Sequence, residues 1–469
     1  MLFPGGPPLL ARGIRSYHRP TRIEEAQELA SQGAAPLAGG TRLLATDASV
    51  PNVLDLVGLE LTGLRVEDED AEIGAATPLQ DVADSAIAHS TTAGLLPAAC
   101  HAAMPSRLLR GMATIGGEAV HDDPDSELAA ALLALNAVFV VAHPQGVVES
   151  PALRFLRHPA GDLAGGGILR TVLIPGAPHG AALERAAVFP SMPPLVAVAV
   201  TTTFSGEKLA RVRLALTGLA GPPARVIEAE AHLERTAGEE DVLEKAADLV
   251  CSRAPFRDDV WATAEDRRRI AQTLVRRALR AALARGRRRE PLDRPRTRPP
   301  LPHRAPAPMP YFTSGRLGMS VNGRVLRAEA EARTTLLDLL RGAGTFGVKA
   351  GCATGRCGAC AVLLDGRPVA SCLTLAVRAQ GRTVITVEGL GTAERPHPLQ
   401  TAFAEAGASQ CGFCTPGLVL GARALLEATP RPTEDEVRDA LAGLCRCTGY
   451  ARPMAAVLAA AARAAGDDR

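Results

Sequence analysis

Gly351-Cys352-Ala353-Thr354-Gly355-Arg356-Cys357-Gly358-Ala359-Cys360, followed by a lone thiol in Ser371-Cys372-Leu373, is the stretch on which the reading of this chain turns. A second cysteine set follows in Gln410-Cys411-Gly412-Phe413-Cys414-Thr415-Pro416-Gly417 and Leu444-Cys445-Arg446-Cys447-Thr448-Gly449-Tyr450. Together these hold all but two of the 10 cysteines, four in each set. Four thiolates are the ligand count of one iron–sulfur cluster. Two sets therefore predict two one-electron carriers on one polypeptide.

The first set has the spacing C-x4-C-x2-C plus a distal cysteine, which the plant-type 2Fe–2S site uses. Gly351, Gly355 and Gly358, with Ala353 and Ala359, leave room for a loop that wraps tightly and turns its N–H groups inward on an anionic cluster. Structural zinc is the rival, but zinc favours paired C-x2-C knuckles, and here the knuckle is one-sided. Disulfides fit a secreted protein, and no secretory signal layout is present. The second set, C-x2-C then C-x-C, leaves zinc open when read alone. Its setting reads as helical: Pro416 suits a first helical turn, and Thr433 with Glu436 makes a capping box. Two helices are expected, each presenting a cysteine pair at one end. Asn322-Gly323 and Asp365-Gly366 each join short apolar runs as two-residue hairpin turns, so the first set is expected on a small β-grasp sheet.

Residues 317–462 resemble the small iron–sulfur subunit of the molybdenum hydroxylases, the family of xanthine dehydrogenase, aldehyde oxidase and aerobic carbon monoxide dehydrogenase. The resemblance is carried by Val321-Asn322-Gly323, Leu336 to Arg341, Gly351 to Cys360, Asp365-Gly366, Ser371-Cys372-Leu373, Val387-Glu388-Gly389-Leu390, His397 to Gln400, Gln410 to Gly417, and Cys445 to Tyr450. It implies one 2Fe–2S cluster on Cys352, Cys357, Cys360 and Cys372 and another on Cys411, Cys414, Cys445 and Cys447. It further implies that the helical site lies nearest a molybdopterin cofactor held by a partner subunit, with Gln410 and Cys447 against it. The family's Asn before Leu-Cys is missing from Ala442-Gly443-Leu444-Cys445, which affects a turn rather than a ligand.

Two glycine pairs stand earlier, in Leu37-Ala38-Gly39-Gly40-Thr41-Arg42 and in Thr114-Ile115-Gly116-Gly117. Each alone reads as an ordinary turn. In order, and with Tyr17-His18-Arg19-Pro20-Thr21, Ile73-Gly74-Ala75-Ala76-Thr77, Leu132 to Ala137, Ile174-Pro175, Phe256-Arg257-Asp258-Asp259 and Glu265 to Arg280, they resemble the FAD-binding subunit of the same family. By that resemblance Leu37, Ala38, Gly39, Gly40, Thr41, Arg42, Thr114, Ile115, Gly116, Gly117, Glu118, Glu127 and Leu169 are expected to contact FAD, and no residue of this chain is catalytic. Several depart from the family's pattern. Arg42 replaces an Asp, and its cation suits a diphosphate. Gly111 and Glu118 replace Asn, Glu127 replaces an Asp that serves ribose or ribityl hydroxyls, and Gly167 replaces a Glu.

The rest of the composition is permissive. A chain of 469 residues, 47% hydrophobic, accommodates several cores. A formal charge of +2 supplies no field for nucleic acid, and no run is apolar for the length of a bilayer. Both features lead us to expect a cytoplasmic protein. Arg285 to Pro310 is rich in arginine and proline and reads as an extended linker. Cys100 and Cys251 read as core fillers, His101 and His121 as surface or loop residues, and Trp261 as packing. The expected fold is α+β multidomain: a FAD-binding domain of two α/β subdomains over 14–178, its C-terminal sheet-and-helix subdomain over 179–285, a linker over 286–315, a ferredoxin-like β-grasp domain over 316–393, and an all-helical 2Fe–2S domain over 394–465. The function this implies is that of an oxidoreductase subunit, passing electrons from a partner's molybdopterin centre through two clusters to FAD and an external acceptor; NAD, quinone, oxygen and a cytochrome all remain open. A flavin-less iron–sulfur adaptor and a self-contained NAD(P)H-linked reductase are the alternatives.

Overall fold

The structure, a computed structural model, describes residues 13–46, 50–290, 309–441 and 443–466. The chain divides into two compact units. One joins 1–60, 106–113 and 301–469, and the other joins 61–105 and 114–300. The segment expected as one FAD-binding domain, 14–178, is thus divided between them.

In the first unit the N-terminal strands Ser16–Arg19, Ala35–Leu37 and Asn52–Asp55 pair in parallel, with the helix Ile23–Ser31 as the crossover. A fourth strand, Met309–Phe312, adds antiparallel to Ser16–Arg19 at the sheet's edge. Pro310 is tolerated there because an edge strand need not donate on both sides. This corrects the C-terminal end of the expected linker. Its N-terminal end differs too, as a helix continues through Arg288, and 291–308 lie outside the described residues.

A five-stranded sheet follows, in the order Arg324–Glu331, Ser314–Val321, Thr383–Ile385, Ala361–Leu364, Arg367–Ala370. Both hairpin turns take left-handed backbone, with φ of 52° and 79° at Asn322-Gly323 and 48° and 82° at Asp365-Gly366, as type I′ turns require. Asn322 also exchanges hydrogen bonds with Thr386, 2.9 Å each way, which ties its turn to the end of the neighbouring strand. The helices Pro398–Glu405, Thr415–Ala428, Glu434–Ala440 and Ala451–Ala464 pack around Leu399, Phe403, Leu418, Val419, Val437 and Val457. His397-Pro398-Leu399-Gln400 is a helix start: the His397 ring accepts from the Leu399 N–H, and Gln400 accepts from the His397 N–H at 2.8 Å. Thr433 and Glu436 form the expected capping box.

Segment 106–113 knits the two cysteine-bearing modules together. Arg107 and Arg110 both reach Asp439 on the helix Glu434–Ala440, at 3.2 and 2.5 Å. The Met112 sulfur accepts from Ala370 N–H at 3.1 Å.

The second unit holds a five-stranded antiparallel sheet, in the order Leu64–Glu67, Asp70–Gly74, Ile168–Ile174, Val138–His143, Gly146–Pro151. It also holds a meander of Gly180–Ala186, Val196–Ser205, Lys208–Leu216 and Ala224–Arg225. The long helix Ala264–Arg288 lies on the meander, burying Ala271, Leu274, Val275, Ala278, Leu279, Ala282, Leu283 and Gly286 at helical spacing. It outlasts the expected boundary because Gly286 keeps that stripe going: a Cβ there would stand 2.6 Å from the Phe204 ring. Leu216, fully buried in this core, gives a direct test. Leu216→Ala is expected to lower unfolding free energy by about 2–5 kcal/mol in a denaturant titration.

Asp259 organises the turn before the helix Ala264–Arg288. It accepts from the N–H groups of Trp261 and Ala262, from Arg257 and from Arg267. Partial burial pushes its carboxyl up, but these donors outweigh that and hold it at about 2. A carboxyl depressed in the folded state contributes stability that is present above its ordinary pKa and is lost as pH falls towards the folded value. Asp259→Asn is therefore expected to flatten the acid limb of stability between about pH 4 and pH 2 and to leave the neutral slope unchanged. An unchanged acid limb would show that these donors do not hold the carboxylate. Trp261, expected to pack, is instead 57% exposed on this turn. His101 sits in the helix Leu95–Ala103 rather than in a loop, and Cys100 is buried there. His121 follows the helix Ile115–Ala119 in irregular backbone. Cys251 is half-buried, and burial raises its thiol to about 11.

Candidate functional site

The first cysteine loop leads into the strand Ala361–Leu364, and Cys372 returns beside it on the turn Ser371–Leu373. The Ser371 hydroxyl donates to the Cys360 carbonyl at 2.7 Å, which clamps the two halves. Backbone amides point at sulfur: Thr354 N–H and Cys357 N–H approach Cys352 Sγ at 3.4 and 3.3 Å, and Cys352 N–H approaches Cys357 Sγ at 3.4 Å. Such donors stabilise thiolate, the form that binds metal. Glycine is needed for the approach, since a Cβ on Gly351 would stand 2.7 Å from Cys357 Sγ. Cys360 and Cys372 are buried and hydrogen-bond each other. That bond lowers Cys360 to about 7 and raises Cys372.

In the second set, Cys411 and Cys414 precede the helix Thr415–Ala428, and Cys445 and Cys447 precede the helix Ala451–Ala464. Each pair therefore meets the positive end of a helix. Both follow the expected pattern of one pair per helix, but the second pair belongs to the last helix and not to the one capped by Thr433. The free thiols of Cys411 and Cys447 hydrogen-bond each other, as do those of Cys414 and Cys445. Burial raises the Cys445 thiol, but hydrogen bonds with Thr448 and the Cys447 N–H bring it down to about 7. Tyr450 accepts from the Cys445 N–H at 2.9 Å. Among the described residues, no three His, Cys, Asp or Glu side chains gather as ligands of a single ion. The thiols are paired two and two in each set. That donor chemistry suits a binuclear cluster, in which four cysteines serve two irons.

The two sets adjoin. Leu444 N–H donates to the Cys357 carbonyl at 2.8 Å, so one hydrogen bond links the residue before Cys445 to a first-set cysteine. A cavity of about 520 Å³ lies beside Cys411 of the second set, lined by Arg341, Phe346, Lys349, Ala350, Cys411, Gly412 and Phe413. Gln410, Cys411 and Cys447 are exposed, as are Phe413 and Leu444 at 43% and 64%. The first set is the more enclosed of the two.

The residues expected to hold FAD fall in both units. In the first, Leu37 ends a strand, Gly40 takes φ of 78°, and Thr41 and Arg42 lead into a short 3-10 turn. Gly39 is required by packing, because its Cβ would meet the Met112 carbonyl at 2.0 Å. The loop offers backbone groups and a guanidinium, a donor set that fits a diphosphate. In the second, Thr114 caps the short helix Ile115–Ala119 by accepting from Gly117 N–H, and Glu118 is buried in it. A Cβ on Gly116 would stand 2.7 Å from the Ala75 carbonyl, whereas one on Gly117 would meet only the Thr114 hydroxyl. Leu169 is buried in the strand Ile168–Ile174. Glu127 is buried too, with one carboxylate oxygen held by Arg185 at 2.7 Å. Burial raises its pKa, and Arg185 offsets part of that rise. Arg185 was missed by the sequence reading, as were Asp55, Arg378 and Asp439. They belong to no spacing motif, and their partners are distant in sequence.

Four family descriptions match in chain order: "FAD binding domain in molybdopterin dehydrogenase" over 12–177, "CO dehydrogenase flavoprotein C-terminal domain" over 193–282, "2Fe-2S iron-sulfur cluster binding domain" over 319–383, and "[2Fe-2S] binding domain" over 386–458. The nicotinate dehydrogenase small FeS subunit of Eubacterium barkeri is 47% identical over 151 residues, which are 32% of this chain and 96% of that protein. The nicotine 6-hydroxylase small subunit of Paenarthrobacter nicotinovorans is 50% identical over 144 residues, 30% of this chain and 87% of that protein. Among solved structures, a chain of carbon monoxide dehydrogenase from Hydrogenophaga pseudoflava superposes with a TM-score of 0.54 at 30% identity, covering 57% of this chain and 97% of that one. No helix among the described residues is long and apolar enough to cross a membrane. With a FAD-binding domain and two 2Fe–2S domains on one polypeptide, this chain belongs to the molybdenum hydroxylase family of xanthine dehydrogenase, aldehyde oxidase and carbon monoxide dehydrogenase, as an oxidoreductase subunit for electron transfer.

Proposed function

We propose that this chain takes electrons from a molybdopterin centre on a separate large subunit and delivers them to FAD and an external acceptor, with Cys411, Cys414, Cys445 and Cys447 at the entry and Cys352, Cys357, Cys360 and Cys372 next in line. When bound, 2Fe–2S clusters carry single electrons and FAD accepts two, which joins two-electron substrate oxidation to one-electron wiring. The observation that carries the reading is the continuity of the two cysteine sets through the Leu444–Cys357 hydrogen bond. The order follows from exposure. The second set lies beside exposed Gln410, Phe413 and Leu444, a surface suited to a partner. In the first set Cys360 and Cys372 are buried, and the carbonyl of Leu373, the residue after Cys372, meets the Gly40 turn of the expected flavin loop. In this reading the residues 37–42 and 114–118, with Glu127 and Leu169, line the flavin. The ten free cysteines suit a reducing compartment, and we place the protein in the cytoplasm.

Purification of the native complex tests this. A molybdopterin-containing large protein is expected to copurify. Acid should release flavin, and substrate should bleach the flavin and cluster absorbance only when that protein is present. Iron without flavin would instead favour the adaptor. Bleaching by reduced nicotinamide with no partner present would favour the self-contained reductase.

A further inference from the structure

We propose that Arg378 is a positioning residue, a latch that holds the Leu37–Arg42 loop against the backbone beside Cys372 and so sets the gap electrons cross between the first cysteine site and the flavin. The inference rests on the reading of both cofactors given above. Arg378 follows Cys372 by six positions, on the 3-10 turn Ala376–Ala379. Its guanidinium binds Asp55 through two N–H groups, Nε to Oδ2 at 2.7 Å and Nη2 to Oδ1 at 2.5 Å. The same Nη2 donates to the carbonyls of Ala38 at 2.5 Å and Leu37 at 3.2 Å. One side chain of the ferredoxin-like module therefore grips the strand end from which the glycine loop departs.

Asp55 is fully buried and wholly engaged. It also accepts from the Tyr17 hydroxyl and from Val57 N–H at 3.0 Å. Arg19, 1% exposed, pairs with Asp55 at 3.9 Å and donates to the Val377 carbonyl at 3.2 Å. A buried ion cluster of this kind is a poor source of stability, since desolvation offsets its attraction, but it tolerates few alternative geometries. The loop is pressed home as a result. A Cβ on Gly40 would stand 3.2 Å from the carbonyl of Leu373, the residue after Cys372. Backbone thus meets backbone where the expected flavin loop and a cluster cysteine adjoin. What the latch positions is a one-electron exchange. The cysteine site loses the electron, the flavin gains it, and Arg378 neither forms nor breaks a bond and moves no proton.

The test uses the full chain with its cofactors. Arg378→Gln alone leaves the buried Asp55 carboxylate with only Arg19 as a cation and endangers folding. The informative variant is therefore Asp55→Asn with Arg378→Gln, which removes that pair together and leaves Arg19 bonded to the Tyr17 hydroxyl and the Val377 carbonyl. Flash photoreduction of the flavin followed by absorbance reads the rate of equilibration with the cluster. Flavin content, iron content and Tm are recorded alongside. The double variant is expected to keep both cofactors and to equilibrate roughly 10–100-fold more slowly, the scale of an ångström-level misplacement. Arg378→Lys is expected to fall between it and the parent, because a single ammonium cannot reproduce a planar fork. Leu216→Ala serves as the destabilised control. A double variant that equilibrates no more slowly than Leu216→Ala overturns the latch. A parent protein lacking flavin or iron overturns instead the cofactor reading beneath it.

Discussion

Cys360→Ala is expected to strip one of the two 2Fe–2S clusters and leave the other. Cys360 is 2% exposed, hydrogen-bonds Cys372 through sulfur, and has its carbonyl clamped by Ser371. Removing its thiolate would leave one iron of a bound cluster with a single cysteine ligand. The second set draws its four thiols from other segments, each held at a helix start with its own core beneath. The outcome expected is half the parental iron, one of two electron-spin-resonance signals after dithionite, and loss of substrate-driven flavin reduction. Loss of both signals would show that the two sites fold as one. Zinc in the parent protein would remove the electron path altogether.

Gly417→Ala is expected to destabilise the cysteine-bearing unit, against the usual direction for a helical glycine. In an open helix this change stabilises by up to about 1 kcal/mol, because alanine loses less backbone entropy. Here Gly417 lies in the first turn of the helix Thr415–Ala428, directly over the first cysteine loop. A Cβ would stand 2.3 Å from the Gly358 carbonyl, between Cys357 and Cys360. Backbone has no rotamer to yield, so helix or loop must move, at a cost of about 1–3 kcal/mol for overpacking. The overpacking term exceeds the propensity term, and the net effect is a loss. Because the displaced atoms carry cysteines of both sets, both spin-resonance spectra should change with iron content still near parental. A rise in Tm with unchanged spectra would mean the contact is looser than the structure has it.

The residues differ in how legible they were from the sequence. The two sets of four cysteines were readable because coordination chemistry imposes spacing, and spacing survives in one dimension. The turns at Asn322-Gly323 and Asp365-Gly366 were readable because positive φ restricts residue type. Pro416 and the Thr433–Glu436 box were readable because helix starts are local. Trp261 was misread because large aromatics are usually buried, and only the turn held by Asp259 puts it outside. The ends of the linker were misread because proline content argues against helix and central strand, while burial of Leu283 and Gly286 carries the helix onward and a sheet edge accepts Pro310.

By itself the sequence determined the chemistry: which thiols form each set, that the sets are two, and which modules carry them. Only the tertiary structure decided how those modules are joined. Asp55 with Arg378, Arg110 with Asp439, and Leu444 with Cys357 are partners far apart in the chain, and only chain folding makes them neighbours. Buried charge finds its partner through space, so no local pattern announces it.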